Sequence, residues 1–296
     1  MNLVVTGASG LIGNAFIKLY SDTHKITALT RSVQPDLDAS VTWVETNYTF
    51  DSLCEILPDK DAVIHMAGMR FPPLDQDNFN HYLDNITISD NIFKACVHTG
   101  VRNIVCASSR SVYSEANELP WKEAEAAVPA SFYGASKLAM EAIASIYSKK
   151  HGLNVKCLRI AQILSSDEQK GYLLRTLFDK AKAGEAQNIY GTGEGRREYI
   201  YVKDVARAFM CALQFGEKSG VYNIGVGKTI SISELAELIN KMFGNLSPIN
   251  FLTDKPEDLS KSLMDCSKAG KELGFKVDYD MASAIGDIFG DWMCNI

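Results

Sequence analysis

Ser109, Tyr133 and Lys137 could together move a proton to or from a carbon–oxygen bond. Tyr133 and Lys137 stand four apart in Tyr133-Gly134-Ala135-Ser136-Lys137, so on a helix they share one face, one turn apart. A free phenol is a poor base at neutral pH, and an ammonium beside it favours the phenolate. Ser109, 24 residues before the tyrosine, follows the apolar strand pattern Asn103–Ala107. It could hold a substrate oxygen while the phenol exchanges its proton. The hydride itself needs a nicotinamide, and a second segment could hold one. Thr6-Gly7-Ala8-Ser9-Gly10-Leu11-Ile12-Gly13 falls between an apolar strand pattern and a helical one. A glycine turn in that place lets backbone N–H groups approach a pyrophosphate at the helix N-terminus. A side chain at Gly7, Gly10 or Gly13 would obstruct that approach or the packing of helix on strand. The two segments together imply hydride transfer at a hydroxyl or ketone.

The end of the second strand pattern bears on the cofactor. Lys25–Thr30 runs into Arg31 and Ser32, and no acidic residue lies between Lys25 and Gln34. An acid there would bond the adenosine ribose hydroxyls of NAD, whereas an arginine suits the extra phosphate of NADP. Arg31 therefore leads to an expectation of NADP.

These residues need a scaffold, and the pattern supplies one. Strands are predicted at Leu3–Thr6, Lys25–Thr30, Val41–Glu45, Ala62–Ala67, Asn103–Ala107 and Val155–Ile160. Helices fit Leu11–Ser21, Phe50–Ile56, Phe79–Thr99 and Tyr133–Lys150. The alternation predicts an α/β fold, a Rossmann-type doubly wound parallel sheet. The dinucleotide-binding domain spans 1–165, with a return of about 196–225, and 166–296 is mainly a smaller C-terminal substrate-binding lobe. Glu115–Pro129 reads as an ordered loop between the catalytic strand and helix. In the lobe, Gly171–Gly184, Lys203–Phe215 and Ser231–Met242 are helical, and Ser231 with Glu234 has the capping-box pattern. Ala186–Gly195, with three glycines, reads as a loop near the mouth of the site.

Further segments carry a resemblance. Asp61-Ala62-Val63-Ile64-His65-Met66-Ala67-Gly68, Ser108-Ser109-Arg110-Ser111-Val112-Tyr113, Arg197-Glu198-Tyr199-Ile200-Tyr201-Val202-Lys203-Asp204-Val205 and Val221-Tyr222-Asn223-Ile224-Gly225 occur in order along the chain. Ser231-Ile232-Ser233-Glu234-Leu235 and Asp265-Cys266-Ser267-Lys268-Ala269 follow them. With the glycine turn and Tyr133/Lys137, this series resembles the extended short-chain dehydrogenase/reductases of the NAD-dependent epimerase/dehydratase group over nearly the whole chain. The resemblance implies cofactor contacts at Gly7, Ser9, Gly10, Leu11, Ile12, Gly13, Arg31, Asn47, Tyr48, Met66, Ala67, Gly68, Tyr133 and Lys137. It gives Asn85 a catalytic part beside Ser109, Tyr133 and Lys137, supporting the active-site water and the lysine. It places substrate contacts at Arg70, Ser109, Ser111, Gln162 and Arg197, the last on a nucleotide diphosphate. It also implies a homodimer through a bundle of the helices at Phe79–Thr99 and Tyr133–Lys150, whose mixed faces carry Ile86, Ile92, Phe93, Leu138, Ile143 and Ile146.

Departures from the group's pattern narrow the reaction. Dehydratases carry an Asp-Glu pair directly after the catalytic Ser/Thr, and Arg110-Ser111 stand there instead, which argues against dehydration. Asn47 replaces an adenine-contacting Asp, and Gln162 replaces the Asn that follows the Arg159 strand. Leu164-Ser165-Ser166 replaces an expected glycine and proline. The first expectation is NADP-dependent reduction of a nucleotide-linked 4-keto (6-deoxy) sugar. The alternative is a nucleotide-sugar 4-epimerase of the UDP-N-acetylglucosamine/UDP-glucose type with tightly bound NAD. A cofactor-sensing scaffold of the same fold has no need of the Tyr133/Lys137 pair.

Composition bounds the rest. The chain has 46% hydrophobic residues, a net charge of −6 and no basic cluster, which argues against a nucleic-acid partner. Seven scattered cysteines without a Cys-x-x-Cys suit a reducing compartment. Cys54, Cys96, Cys106, Cys157 and Cys211 sit among apolar residues and read as buried thiols. No run of 18 apolar residues is present, and the glycine turn begins too early for a leader. A cytoplasmic protein with no membrane partner is expected. His65 reads as a packing residue rather than a metal ligand, and no metal site is expected.

Overall fold

The computed structural model describes residues 1–32, 40–70, 78–215 and 218–294. Its first half alternates β1 (Asn2–Thr6), α1 (Leu11–Tyr20), β2 (Lys25–Thr30), β3 (Thr42–Glu45), α2 (Phe50–Ile56) and β4 (Ala62–His65). Then come α3 (Asn80–Thr99), β5 (Asn103–Ser109), α4 (Phe132–His151) and β6 (Asn154–Ile160). The chain continues through β7 (Gln162–Leu164), α5 (Leu173–Ala183), β8 (Gln187–Tyr190), β9 (Arg196–Arg197), β10 (Tyr199–Tyr201), α6 (Val202–Phe215) and β11 (Gly220–Ile224). It closes with β12 (Ile230–Ser231), α7 (Ile232–Phe243), β13 (Ile249–Leu252), α8 (Ser267–Leu273) and α9 (Met281–Cys294).

Seven strands form one parallel sheet in the order β11-β6-β5-β4-β1-β2-β3. Both faces are apolar because successive residues feed two cores. Leu3 and Val5 enter one, with Val105 and Leu158, while Val4 enters the other, with Ile104 and Cys157. A parallel sheet covered by helices on both sides requires this double burial. Strand order reverses between β1 and β4, and that switch point opens a crevice beyond the carboxyl ends of the strands. The doubly wound Rossmann fold expected from the sequence is the one observed.

Local signals set the helix ends that matter. Ser131 caps α4, its hydroxyl accepting from Gly134 N at 3.1 Å, and Gly152 ends that helix in the left-handed region at φ 67°. The capping box expected at Ser231 and Glu234 opens α7. Two expectations need correction. Ala186–Gly195 is not a loop throughout, since Gln187–Tyr190 forms β8, paired in parallel with β13 some sixty residues on. The glycines that suggested a loop begin only at Gly191, and the alternation of buried Gln187 and Ile189 with exposed Asn188 and Tyr190 is a strand's period. Cys96, Cys106 and Cys157 are buried as expected, but Cys54 and Cys211 are only half-buried. Among the described residues, no helix is long and apolar enough to cross a membrane.

Candidate active site

The crevice holds a cavity of about 630 Å³ that runs from the β1–α1 turn to the start of the second lobe. Gly7 takes φ +66° there, and a Cβ on it would stand 2.7 Å from Ala67 N. A Cβ on Gly13 would stand 2.4 Å from Gly7 O. Backbone therefore packs directly on backbone, which only glycine permits. Gly10 caps α1 without a side chain, so the first-turn N–H groups of Leu11, Ile12 and Gly13 have no partner within the helix. These residues line the cavity with Gly7, Ser9, Met66 and Gly68. A bare helix N-terminus facing a cavity fits a pyrophosphate, in charge and in shape.

Four of the expected cofactor residues lie outside that lining. The Ala67 N–H is held by Thr6 Oγ1 at 3.0 Å. Arg31 is exposed at the end of β2, its Nη1 3.5 Å from Met69 Sδ. Asn47 turns its amide oxygen to Thr49, accepting from the backbone N–H at 3.1 Å and the hydroxyl at 2.8 Å. Tyr48 is buried at φ 58°; its phenol donates to Leu29 O at 3.2 Å and accepts from Gly7 N at 3.4 Å. Its own N–H donates to Thr46 Oγ1 at 3.0 Å. Tyr48 thus braces the glycine turn from the core side.

Ser109, Tyr133 and Lys137, the expected acid–base residues, line the same cavity. Ser109 ends β5, where its hydroxyl accepts from Ser111 N at 3.1 Å and caps a single 3-10 turn. Tyr133 and Lys137 stand one turn apart on α4, and all three line the cavity. Lys137 is buried; its Nζ donates to Ala107 O at 2.9 Å and lies 5.7 Å from the Tyr133 ring centre. Asn85 is buried on α3 and clamps the backbone of Met69, accepting from its N–H at 2.6 Å and donating to its carbonyl at 3.0 Å. That clamp holds the β4–α3 segment close to the lysine, since a Cβ on Gly68 would meet Lys137 Nζ at 3.1 Å and Asn85 Oδ1 at 3.5 Å. Beneath it His65, buried as expected, links Thr6 at 2.9 Å and Ser89 at 3.0 Å. Burial and then the Lys137 charge push its pKa down to about 3, so the ring is neutral.

A buried polar network fixes the catalytic strand to the catalytic helix. Glu141, one turn beyond Lys137, accepts from Arg159 at 3.0 and 2.7 Å and from the Ser108 hydroxyl at 2.5 Å. Arg159 also donates to the Tyr113 phenol at 2.7 Å, which in turn donates to Asn223 at 2.9 Å. Strands β5, β6 and β11 and helix α4 are thus tied by one set of satisfied groups.

Of the expected substrate residues, Arg70, Ser109, Ser111 and Gln162 share the cavity. Arg197 stands apart from its lining, paired with Asp258 at 2.6 Å and with Ser260 at 2.8 Å. Sequence reasoning missed Glu168 and Tyr172, which also line the cavity. Glu168 holds Arg70 at 2.5 Å, and the guanidinium lies 4.2 Å from the Tyr172 ring centre. No local signal marks a pair 98 residues apart in the chain. The expected glycine-rich segment supplies no lining residue; 167–169 and Tyr172 do so instead.

The arrangement places two hydroxyls, Ser109 and Tyr133, on one cavity, with the Lys137 ammonium beside the phenol ring. A nicotinamide cofactor, when bound, supplies or accepts the hydride. Gly7–Gly13, Met66, Gly68 and Lys137 are the residues that would hold it. Elimination of water needs a further acid and base. Arg110 cannot release a proton near neutrality, and Ser111 is no stronger as an acid than the substrate's own hydroxyl.

The geometry has counterparts in known proteins. The model of the NAD dependent epimerase/dehydratase family matches residues 3–225. The chain is 26% identical to dTDP-4-dehydro-6-deoxyglucose reductase from Escherichia coli over 99% of its length and 98% of that protein's. It is similar to the crystal structure of UDP-N-acetylglucosamine 4-epimerase from Bacillus cereus, with a TM-score of 0.86, 34% identity and 97% of each chain covered. It is also similar to UDP-N-acetylglucosamine 4-epimerase from Methanobrevibacter ruminantium, with a TM-score of 0.89, 27% identity and 99% and 98% coverage. Cradle, acid–base trio and whole-length likeness converge: the chain belongs to the NAD dependent epimerase/dehydratase family, extended short-chain dehydrogenase/reductases that act as enzymes on nucleotide sugars.

Proposed function

We propose that this chain is a nucleotide-sugar 4-epimerase that works with NAD. The observation that carries the reading is Ser109, Tyr133 and Lys137 around one cavity with the pyrophosphate cradle, while Arg110-Ser111 takes the place of a dehydratase acid and base. Two similar solved structures, at 34% and 27% identity, are UDP-N-acetylglucosamine 4-epimerases, which supports a UDP-sugar substrate. In this reading Tyr133 takes the proton of the sugar's 4-hydroxyl while Ser109 holds the oxygen. The keto sugar turns in the cavity, and Tyr133 returns the proton as the other face is reduced. Lys137, one turn away on α4, sets a positive charge beside the phenol through both proton transfers. The reaction is redox-neutral overall, so it needs no added cofactor.

The test is to denature the purified protein, identify any nucleotide released, and incubate the native protein with UDP-N-acetylglucosamine or UDP-glucose alone. The expected results are bound NAD and formation of the 4-epimer by NMR, slowed by about 10²- to 10⁴-fold in Tyr133→Phe. No epimer, with stoichiometric oxidation of added NADPH by a 4-keto sugar nucleotide, would favour a second reading. That reading is an NADP-dependent 4-keto sugar reductase, and it rests on Arg31 and on the reductase relative at 26% identity. We also propose a homodimer through α3 and α4. Leu83 and Ile146 are 44% and 51% exposed there, and the exposed rings of Phe79 and Phe132 touch at 5.6 Å.

A further inference from the structure

Arg110 is the residue that the reading so far leaves without work. It follows Ser109 directly, is half-buried, and lines the cavity with Ser109, Tyr133 and Lys137. The other arginine of that lining, Arg70, is paired with Glu168 at 2.5 Å. Arg197 nearby is paired with Asp258 at 2.6 Å, and Arg159 behind the strand with Glu141 at 2.7 Å. Among the described residues, the Arg110 side chain makes neither hydrogen bond nor ion pair. Burial, and then the charge of Arg197, lower its pKa, and Tyr199, Asp258 and Glu198 offset this only in part. A guanidinium carries five donors and stays charged in a protein, so leaving it half-buried and unpaired is costly. The Tyr199 hydroxyl, within reach of both guanidinium charges, is buried and likewise lacks a partner among the described residues.

We infer that the Arg110 guanidinium binds an oxyanion of the bound nucleotide sugar. Two parts of such a substrate carry that chemistry, the diphosphate and a carboxylate on the sugar ring. Its place favours both: it is the chain neighbour of the serine at the reacting oxygen, and it sits in the field of Arg197. An arginine here acts by binding and not by proton transfer, which sets it apart from an acidic residue in the same position.

This inference rests on the nucleotide-sugar reading, and the experiment separates the two. Titration calorimetry is run on wild type, Arg110→Gln and Arg110→Lys with UDP, UDP-glucose and UDP-glucuronic acid, with dTDP-glucose as a control for the base. A charge-assisted pair is worth about 10- to 100-fold in Kd. If Arg110→Gln weakens every ligand, UDP included, by that factor, the oxyanion is the diphosphate. If it weakens UDP-glucuronic acid alone, the oxyanion is a sugar carboxylate. In either case Arg110→Lys restores part of the affinity, and the effect shrinks with added salt. Wild-type affinity for all four ligands in a folded Arg110→Gln protein overturns the inference. If wild type itself binds none of them, the nucleotide-sugar reading falls first and the inference with it.

Discussion

Gly134 offers a direct test of how the catalytic helix is seated. It lies in the first turn of α4, next to Tyr133, and a Cβ built there would be 1.9 Å from Ser111 O, 2.8 Å from Ser111 C and 3.0 Å from Pro129 Cβ. A carbon–oxygen contact relaxes at about 3.3 Å, so Gly134→Ala must push α4 and the Ser109–Ser111 turn apart by roughly 1.4 Å. Two effects oppose each other. Alanine in place of glycine in a helix gains about 1 kcal/mol, while overpacking against backbone costs about 1–3 kcal/mol. The clash wins, because the carbonyl is backbone and the Pro129 ring is tied to its own backbone, so neither can swing aside. A shift near 1 Å between Tyr133 and Ser109 lowers turnover by about 10²-fold. The assay is kcat for 4-epimerisation, with thermal midpoint and bound nucleotide measured in parallel. Bound nucleotide should persist in large part, since of the residues that would hold it only Lys137 is on α4, while Gly7–Gly13 form the β1–α1 turn and the first turn of α1. Gly290→Ala is the control, as that α9 glycine has nothing within 4 Å of a new Cβ and should stay neutral or gain stability. Wild-type kcat together with an unchanged or raised midpoint in Gly134→Ala would refute the argument.

Other perturbations follow from particular contacts. Lys156 is wholly buried on β6 with no partner for its Nζ among the described residues, and burial pushes its pKa from 10.5 down to about 8. The folded state then binds fewer protons than the unfolded state between about pH 8 and 10.5. Wild type is therefore penalised by about 3 kcal/mol at pH 7 and gains stability as pH rises through that window. Lys156→Met should be more stable at pH 7, with the difference from wild type fading by about pH 10.5 in chemical denaturation. Glu141→Ala strips the partner from the buried Arg159 and should cost about 3–5 kcal/mol, read from the urea midpoint. For the cofactor, Arg31→Asp should weaken NADPH relative to NADH in fluorescence titration; an unchanged ratio removes Arg31 from the site.

The parts of this protein legible in its sequence are those written in short spacings. The glycine turn, the strand into it, Tyr133 with Lys137, and the serine at the end of an apolar run need only their neighbours to be read. Six strands of the large sheet followed from the alternation of such segments; the seventh, β11, is made after a long excursion and was not read as a strand. What stayed hidden depends on distant partners. Strand β8 looked like a loop because its mate, β13, is far downstream and equally short. The ion pair of Arg70 with Glu168 has no local mark. Tyr48 was expected among the cofactor contacts; that its left-handed backbone turns the phenol under Gly7 was not legible, because the contact is set by packing between β2 and α3. Asn85 shows a middle case: the resemblance singled it out, while its clamp on the Met69 backbone was not legible.

The last strand of the large sheet has a consequence for modularity. β11 pairs with β6, yet β7, α5, β8, β9, β10 and α6 are all made between them. During synthesis β6 therefore waits with an open edge, its unpaired N–H and C=O groups free to pair with any passing strand, until β11 emerges. α6, which packs on α1, arrives just before it. The large sheet cannot be lifted out whole by cutting the chain after β6, because its last strand is made downstream, after α6. A fusion joint that keeps the seven-strand sheet whole belongs after Ile224 rather than after Ile160.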